Sequence, residues 1–243
     1  MESELIFFLI VIFFAGLLRS IFGFGDALIA MPLLALFFSI KTATPIVAFS
    51  GFYISLIILV RNFKKIEFNQ IRTLIIFSIL GIPIGVVYLS QTYELLVKTI
   101  LAIVILIFSF FNLFTLSDFR LRSNKYAPVF GILSGILGGA YNTNGPPIII
   151  YGTLKGWTPE QFRAILQGIF LPTNLFIIAS HGIAGLWTPI VFNYFIYSLP
   201  VLTIAYLVGR KLHKMIPADK FTKIVYLILI IIALVLLFNL YFY

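Results

Sequence analysis

Residues 126–154 read YAPVFGILSGILGGAYNTNGPPIIIYGTL. The stretch holds no charged side chain, and its middle is unlike its ends. Gly138-Gly139-Ala140-Tyr141-Asn142-Thr143-Asn144-Gly145-Pro146-Pro147 sets glycines, amides and hydroxyls between two apolar runs. Residues 146–154 would make a helix only about 14 Å long at 1.5 Å per residue, against roughly 30 Å of hydrocarbon in a bilayer. Non-helical backbone at that depth persists only where protein or a water-filled cavity satisfies its polar groups. The stretch therefore predicts a broken or re-entrant helix pair in the interior of a membrane protein. Pro146 suits the first turn of the second piece, where a missing N–H costs nothing.

The rest of the chain agrees. Of 243 residues, 61% are hydrophobic and 10% charged, and the mean hydropathy is +1.12. A soluble domain carries roughly a quarter charged residues, so the polar surface needed to solvate one is missing. Further uncharged runs cover 42–60, 73–93, 99–117, 164–209 (with His181 inside) and 224–243. Most of them approach the ~20 apolar residues of a spanning helix. Ten hydrophobic segments result: 5–22, 27–40, 44–60, 71–89, 95–116, 126–141, 146–154, 161–181, 188–208 and 221–243. A net charge of +9 would suggest nucleic acid in a soluble protein. Here it reads as cationic cytoplasmic loops, with no nucleic-acid partner. There is no cysteine, which excludes disulfide and thiolate chemistry. Met1-Glu2-Ser3-Glu4 lacks the basic start of a signal peptide, so segment 5–22 is expected to be retained.

A repeat organises these segments. An offset of 115 positions lays Gly16 on Gly131, Ile21 on Ile136, Gly23 on Gly138 and Met31-Pro32 on Pro146-Pro147. Nearby offsets match Thr44-Pro45 to Thr158-Pro159, Pro83 to Pro200 and Lys98 to Lys223. The expected fold is an all-α polytopic membrane protein forming one transmembrane domain of two repeats, 1–120 and 121–243. Each repeat holds a broken or re-entrant helix pair plus three full spans, 8–10 membrane segments in all. The number of crossings per half is odd, so the halves take opposite orientations, the inverted-repeat plan of many secondary transporters. With the acidic N-terminus outside, three cationic loops fall inside: Arg61, Lys64, Lys65 and Arg72; Arg120, Arg122 and Lys125; Arg210, Lys211, Lys214 and Lys220. The loop at 182–187, without Lys or Arg, falls outside, as does the C-terminus.

In such a plan the breaks meet near the midplane and their half-helix N-termini favour an anion. The first tip is Ser20-Ile21-Phe22-Gly23-Phe24-Gly25-Asp26; the second is the 138–147 stretch. Candidate anion contacts are Ser20, Gly23, Phe24, Gly25, Gly139, Tyr141, Asn142, Thr143, Asn144, Gly145 and Pro146. Arg163 and Gln167 join them from the following segment. A packing kink of small residues is the competing reading, but glycine alone would serve that purpose. Asp26 is the sole carboxylate between Glu4 and Glu67. Two roles compete for it: coupling to H+ or Na+, or N-capping of the helix that follows. Arg19 is grouped with it, as a charge for the anion or an interfacial anchor. Asn174 could line the cavity or join helices, Lys98 and Lys223 read as interfacial anchors, and His181 as structural. No HExxH, Walker loop, nucleophile elbow or paired carboxylates occur. No enzymatic activity, cofactor or metal is expected, and a homo-oligomer is compatible with the chain.

Gly23-Phe24-Gly25, Met31-Pro32, Gly145-Pro146-Pro147, Tyr151, Thr158-Pro159 and Phe162-Arg163-Ala164 together resemble the TauE/SafE sulfite-exporter family, also called toluene-sulfonate uptake permeases, in its Gly-Pro-Pro-containing branch. The resemblance covers essentially the whole chain, although Phe24 and Asp26 depart from the commoner first-repeat pattern. It implies transport of sulfite, organosulfonates or related small sulfur-containing or carboxylate anions across the plasma membrane. The alternative is a protein that binds or flips a phosphorylated lipid headgroup through the same site.

Overall fold

The computed structural model describes residues 2–60, 68–114, 120–121, 123–213 and 218–242. Arg61, Lys64, Lys65, Arg122 and Lys214 lie outside the described residues, as do the side chains of Arg163, Lys220 and Lys223. Ten helices follow one another: α1 (Glu2–Phe22), α2 (Asp26–Leu34), α3 (Ile40–Val60), α4 (Phe68–Gln91), α5 (Glu94–Phe114), α6 (Ala127–Tyr141), α7 (Gly145–Lys155), α8 (Pro159–Ile183), α9 (Pro189–Leu212) and α10 (Ala218–Phe242). Each answers to one of the ten expected segments. Seven are long and apolar enough to cross a bilayer: α1, α3, α4, α5, α8, α9 and α10. The protein is an all-helical, multi-pass membrane protein.

The short helices turn back. Past α2, Phe37 packs on Phe7 at 4.2 Å between ring centres and Phe38 lies 6.3 Å from Phe8, so the chain returns to where α1 began. In the last turn of α7, the Leu154 carbonyl accepts from the Leu121 N–H at 2.8 Å and the Thr153 carbonyl from Arg120 Nη1 at 2.8 Å. Those partners immediately precede α6. Both broken pairs are therefore re-entrant hairpins, a choice that the sequence leaves open.

Local chemistry explains the ends. Segment 27–40 is not one helix: α2 stops at Leu34, and Ser39 Oγ accepts from the Thr42 N–H at 3.2 Å, starting α3 afresh. Thr158 caps α8 in a reciprocal box with Gln161, and Thr188 caps α9, each with proline at the next position. Thr44-Pro45, matched to Thr158-Pro159 in the sequence, lies inside α3 instead, where Thr44 Oγ1 donates to the Ile40 carbonyl at 2.7 Å.

The helix pairing positions both tips. The most extensive contact is α4 on α6, where glycines bring backbones together. A Cβ at Gly135 would lie 2.0 Å from the Ser78 carbonyl oxygen, and one at Gly85 2.1 Å from that of Ile136. Spacing of four residues, Gly81-Gly85 on α4 and Gly131-Gly135-Gly139 on α6, puts these glycines on one face of each helix. On the opposite side α1 packs on α9, while α3 crosses α8 between the two pairs and α5 lies along α10.

Candidate functional site

Three-residue breaks form both tips. In the first, Gly23 (φ 87°) and Gly25 (φ 100°) are left-handed, a region that glycine enters without strain. In the second, Asn142 takes that conformation at φ 54°, one of the few other residue types that tolerate it. Gly25 caps α2, so Asp26 is the first helical residue and its side chain does not cap. Asn144 precedes α7, with Pro146 in the first turn.

Asp26 is instead paired. Arg19 Nη1 donates to both carboxylate oxygens, at 2.8 and 2.7 Å. Arg19 Nη2 donates to Ser55 Oγ of α3, and the guanidinium lies 4.9 Å from the centre of the Phe170 ring of α8. Arg19 is 3% exposed and Asp26 8%. An isolated charge at that depth would be costly, so each group stabilises the other. The sequence groups Arg19 with Asp26; the turn at residues 23–25 brings them into contact.

A narrow cleft of about 10 Å³, room for little more than one water, lies beside this pair, bordered by Arg19, Phe24, Gly25 and Asp26 from the first hairpin, residues 142–146 from the second, and Phe170. Both helix starts face it. Pro146 and Pro147 remove two of the N–H groups that a helix start leaves free, whereas α2 keeps those of Asp26, Ala27 and Leu28. The first hairpin is thus the better donor end, and also carries the site's negative charge. Bonds to neighbouring helices hold the tips in place. Gln167 Nε2 donates to the Gly23 carbonyl at 2.7 Å, Asn142 Nδ2 to the Val47 carbonyl at 3.2 Å, and Asn144 Nδ2 to Thr173 Oγ1 at 3.0 Å. Ser134 Oγ donates to the Asn144 carbonyl at 2.7 Å. Asn142 Oδ1, Gln167 Oε1 and both polar atoms of Asn174 are buried without a partner.

Of the expected contacts, Arg19, Phe24, Gly25, Asp26, Asn142, Thr143, Asn144, Gly145 and Pro146 border one cleft. Gly23 and Gln167 are not in its lining; Gln167 holds the Gly23 carbonyl behind it. Ser20 points elsewhere, donating to the Gly16 carbonyl and packing beside Gly209 of α9. Gly139 lies against α4, and its carbonyl bonds to His181 Nε2 at 2.9 Å, which gives His181 a structural tie. Tyr141 packs edge-on to Tyr88. The side chain of Arg163 is outside the described residues. Three neighbours were not anticipated: Gly51, Ser55 and Phe170. Ser50-Gly51 and Ser55, small polar residues spaced along an otherwise apolar α3, were the available signal.

Hairpins that bring charged and amide groups together inside a bundle of long apolar helices define a polytopic membrane protein with a polar interior site. The sulfite exporter TauE/SafE family model matches residues 8–236. The chain belongs to that family of anion permeases. Comparison with curated proteins and with solved structures gives no match.

Proposed function

We propose that the chain is a secondary carrier of a small anion, sulfite, an organosulfonate or a related sulfur-containing or carboxylate anion, bound between the two hairpin tips. The observation that carries this reading is the buried Arg19 guanidinium in the wall of a cleft that two helix starts and polar residues 142–144 also border. A fixed cation, dipole ends and neutral donors are what an oxyanion needs when it leaves water. Asp26 is the coupling group in this scheme, taking H+ or Na+.

Residues 1–120 and 121–243 act as inverted halves. Equivalent pairings support this: α1 packs on α9 as α6 packs on α4, and α3 on α9 as α8 on α4. Followed through two hairpins and six spans, Arg72, Arg120, Lys125, Lys155, Arg210 and Lys211 come to one end of the bundle. Lys41 and Lys98, the latter 2.9 Å from Glu94, come to the other. The first end is the cytoplasmic one, with both termini outside the plasma membrane.

A thermal-shift panel of sulfite, sulfonates, sulfate, phosphate and carboxylates tests the carrier reading, because a ligand of the folded state raises its apparent stability. Stabilisation by a sulfur oxyanion is expected, and none by any anion contradicts the reading. Single cysteines labelled on intact cells by an impermeant thiol reagent test the orientation. Position 184 is expected to label and position 64 is not. The headgroup reading draws on an apolar groove lined by Leu18, Phe22, Leu28, Val225, Tyr226 and Leu229 that joins the cleft at Phe24 and Gly25. Stabilisation by anionic lipid in place of small anions would favour it.

A further inference from the structure

Asp26 is a wall between two voids. The tip cleft lies on one side. On the other is a second small space, of about 10 Å³, bordered by Ile12, Gly16, Val47, Ser50, Gly51 and Leu202. We propose that Asp26 is a tethered competitor for the anion. An incoming oxyanion takes the Arg19 guanidinium, the carboxylate swings toward Gly51, and there it binds one proton. This rests on the anion-carrier reading and adds to it the choice of the proton as coupling ion, the exchange on Arg19 and a ratio of one proton per anion.

Arg19 carries five N–H donors and its Nε is buried without a partner, so charge, not a shortage of donors, drives the exchange. Nη1 of Arg19 serves both oxygens of Asp26, and Nη2 serves Ser55. A second anion reaches the face of the guanidinium that Asp26 occupies only by replacing the carboxylate. Gly51 provides the landing place. A Cβ there would lie 3.2 Å from Asp26 Oδ2, 3.3 Å from Asn142 Nδ2 and 3.5 Å from Asn174 Nδ2. Three polar groups converge on the spot that glycine leaves bare. Asn174 is 1% exposed, and neither end of its amide has a partner. Buried polar groups are normally hydrogen-bonded, so this amide is poised for a group that arrives.

Charge balance selects the proton. Arg19 and Asp26 sum to zero as they stand. A monovalent anion on Arg19 with Asp26 still ionised would leave one uncompensated negative charge in the bilayer interior, which is strongly disfavoured. One proton on the carboxylate restores zero. Toward Asp26, α1 presents Arg19; α3 presents Ser55 and Gly51, the second hairpin its amides, and α8 Asn174, all neutral. A bound metal cation would need a shell of oxygens, whereas amide nitrogens of Asn142 and Asn174 are the atoms nearest the spot. A carboxylic O–H needs only one acceptor, and the Asn174 amide, unpartnered at both ends, supplies it by turning its oxygen toward the spot.

The test uses full-length protein in detergent and methanesulfonate, a strong-acid anion that carries no proton of its own between pH 5 and 8. Calorimetric titration in two buffers of different ionisation heat counts the protons taken up. About one proton per anion is expected, with affinity falling as the pH rises. Asp26→Asn should bind at least as tightly, without proton uptake and without pH dependence. Asn174→Ala should still bind at low pH but shift the pH profile, which a purely structural role would leave unmoved. Should Asp26→Asn fail to fold, Gly51→Ala, which fills the landing place, is expected to weaken binding about tenfold or more with the ion pair in place. Binding by wild type without proton uptake overturns the proposal and leaves the carrier reading intact, as does uptake of Na+ in its stead. Proton uptake that persists in Asp26→Asn overturns it too. Failure of every anion in the panel to bind removes the carrier reading itself.

Discussion

The two hairpins occupy matching places and differ in chemistry and in rigidity. The first carries the ion pair of Arg19 and Asp26 and meets α9 with fewer backbone contacts: a Cβ at Gly16 would first touch the end of Leu202, at 2.9 Å, and one at Gly209 would meet Ser20 Cβ at 2.5 Å and the Leu17 carbonyl oxygen at 3.1 Å. The second carries only neutral groups at its tip and meets α4 backbone to backbone, with no room for a Cβ at Gly81, Gly85, Gly135 or Gly139. Side-chain contacts can rearrange, whereas a glycine seam has no atoms to move aside. In the proposed carrier, charge exchange and motion would fall to the first hairpin, and fixed frame and neutral recognition to the second.

Glycine substitutions attack the difference in rigidity most strongly. Gly135→Ala places a methyl against the Ser78 carbonyl, so α4 and α6 must separate; a loss of about 3 kcal/mol or more is expected, at the upper end of overpacking effects. Gly16→Ala meets a flexible leucine end and should cost about 1 kcal/mol. Unfolding followed by tryptophan fluorescence in detergent measures both, and equal losses would erase the contrast. Next comes the charge. Asp26→Ala strands Arg19 and should destabilise by about 3–5 kcal/mol, the usual range for breaking a buried pair. Asn144→Ala at the neutral tip, which loses its bond to Thr173, should cost about 1 kcal/mol. The smallest effects are expected on anion binding. Replacing Asn142, Thr143 or Asn144 with Ala should weaken it by about 1 kcal/mol per lost hydrogen bond to charge, with folding largely retained. Wild-type affinity in all three variants would reduce the second tip to a packing kink.

Much of this arrangement is legible in the chain. Helices of the bundle announce themselves as uncharged runs, and the tips as the places where glycine, amide and proline interrupt them. Whether short segments span or return is not legible, because three spans plus a hairpin and five spans put every charged loop on the same side. The return shows only in contacts such as Phe7 with Phe37 and Leu121 with Leu154. The tip residues of the site are equally readable, since polar groups deep in an apolar run need a reason to be there. Its other wall is not. Gly51, Ser55 and Phe170 sit mid-helix, where a small or aromatic residue is ordinary, and only the crossing of α3 and α8 turns them toward Asp26 and Arg19. Ser20 and Gly139 show the converse: they sit next to the breaks in sequence, but helical rotation points them at α9 and α4.

The central claim is that a small sulfur oxyanion crosses between a charged tip and a neutral one. Uptake of radiolabelled sulfite and methanesulfonate into proteoliposomes, with and without an inward proton gradient, tests it most directly. The account predicts uptake by the wild-type protein that the gradient drives above equilibrium, and uptake by Asp26→Asn that only equilibrates. Uptake no greater than in protein-free liposomes for both anions, or full accumulation by Asp26→Asn at the wild-type rate, would contradict it.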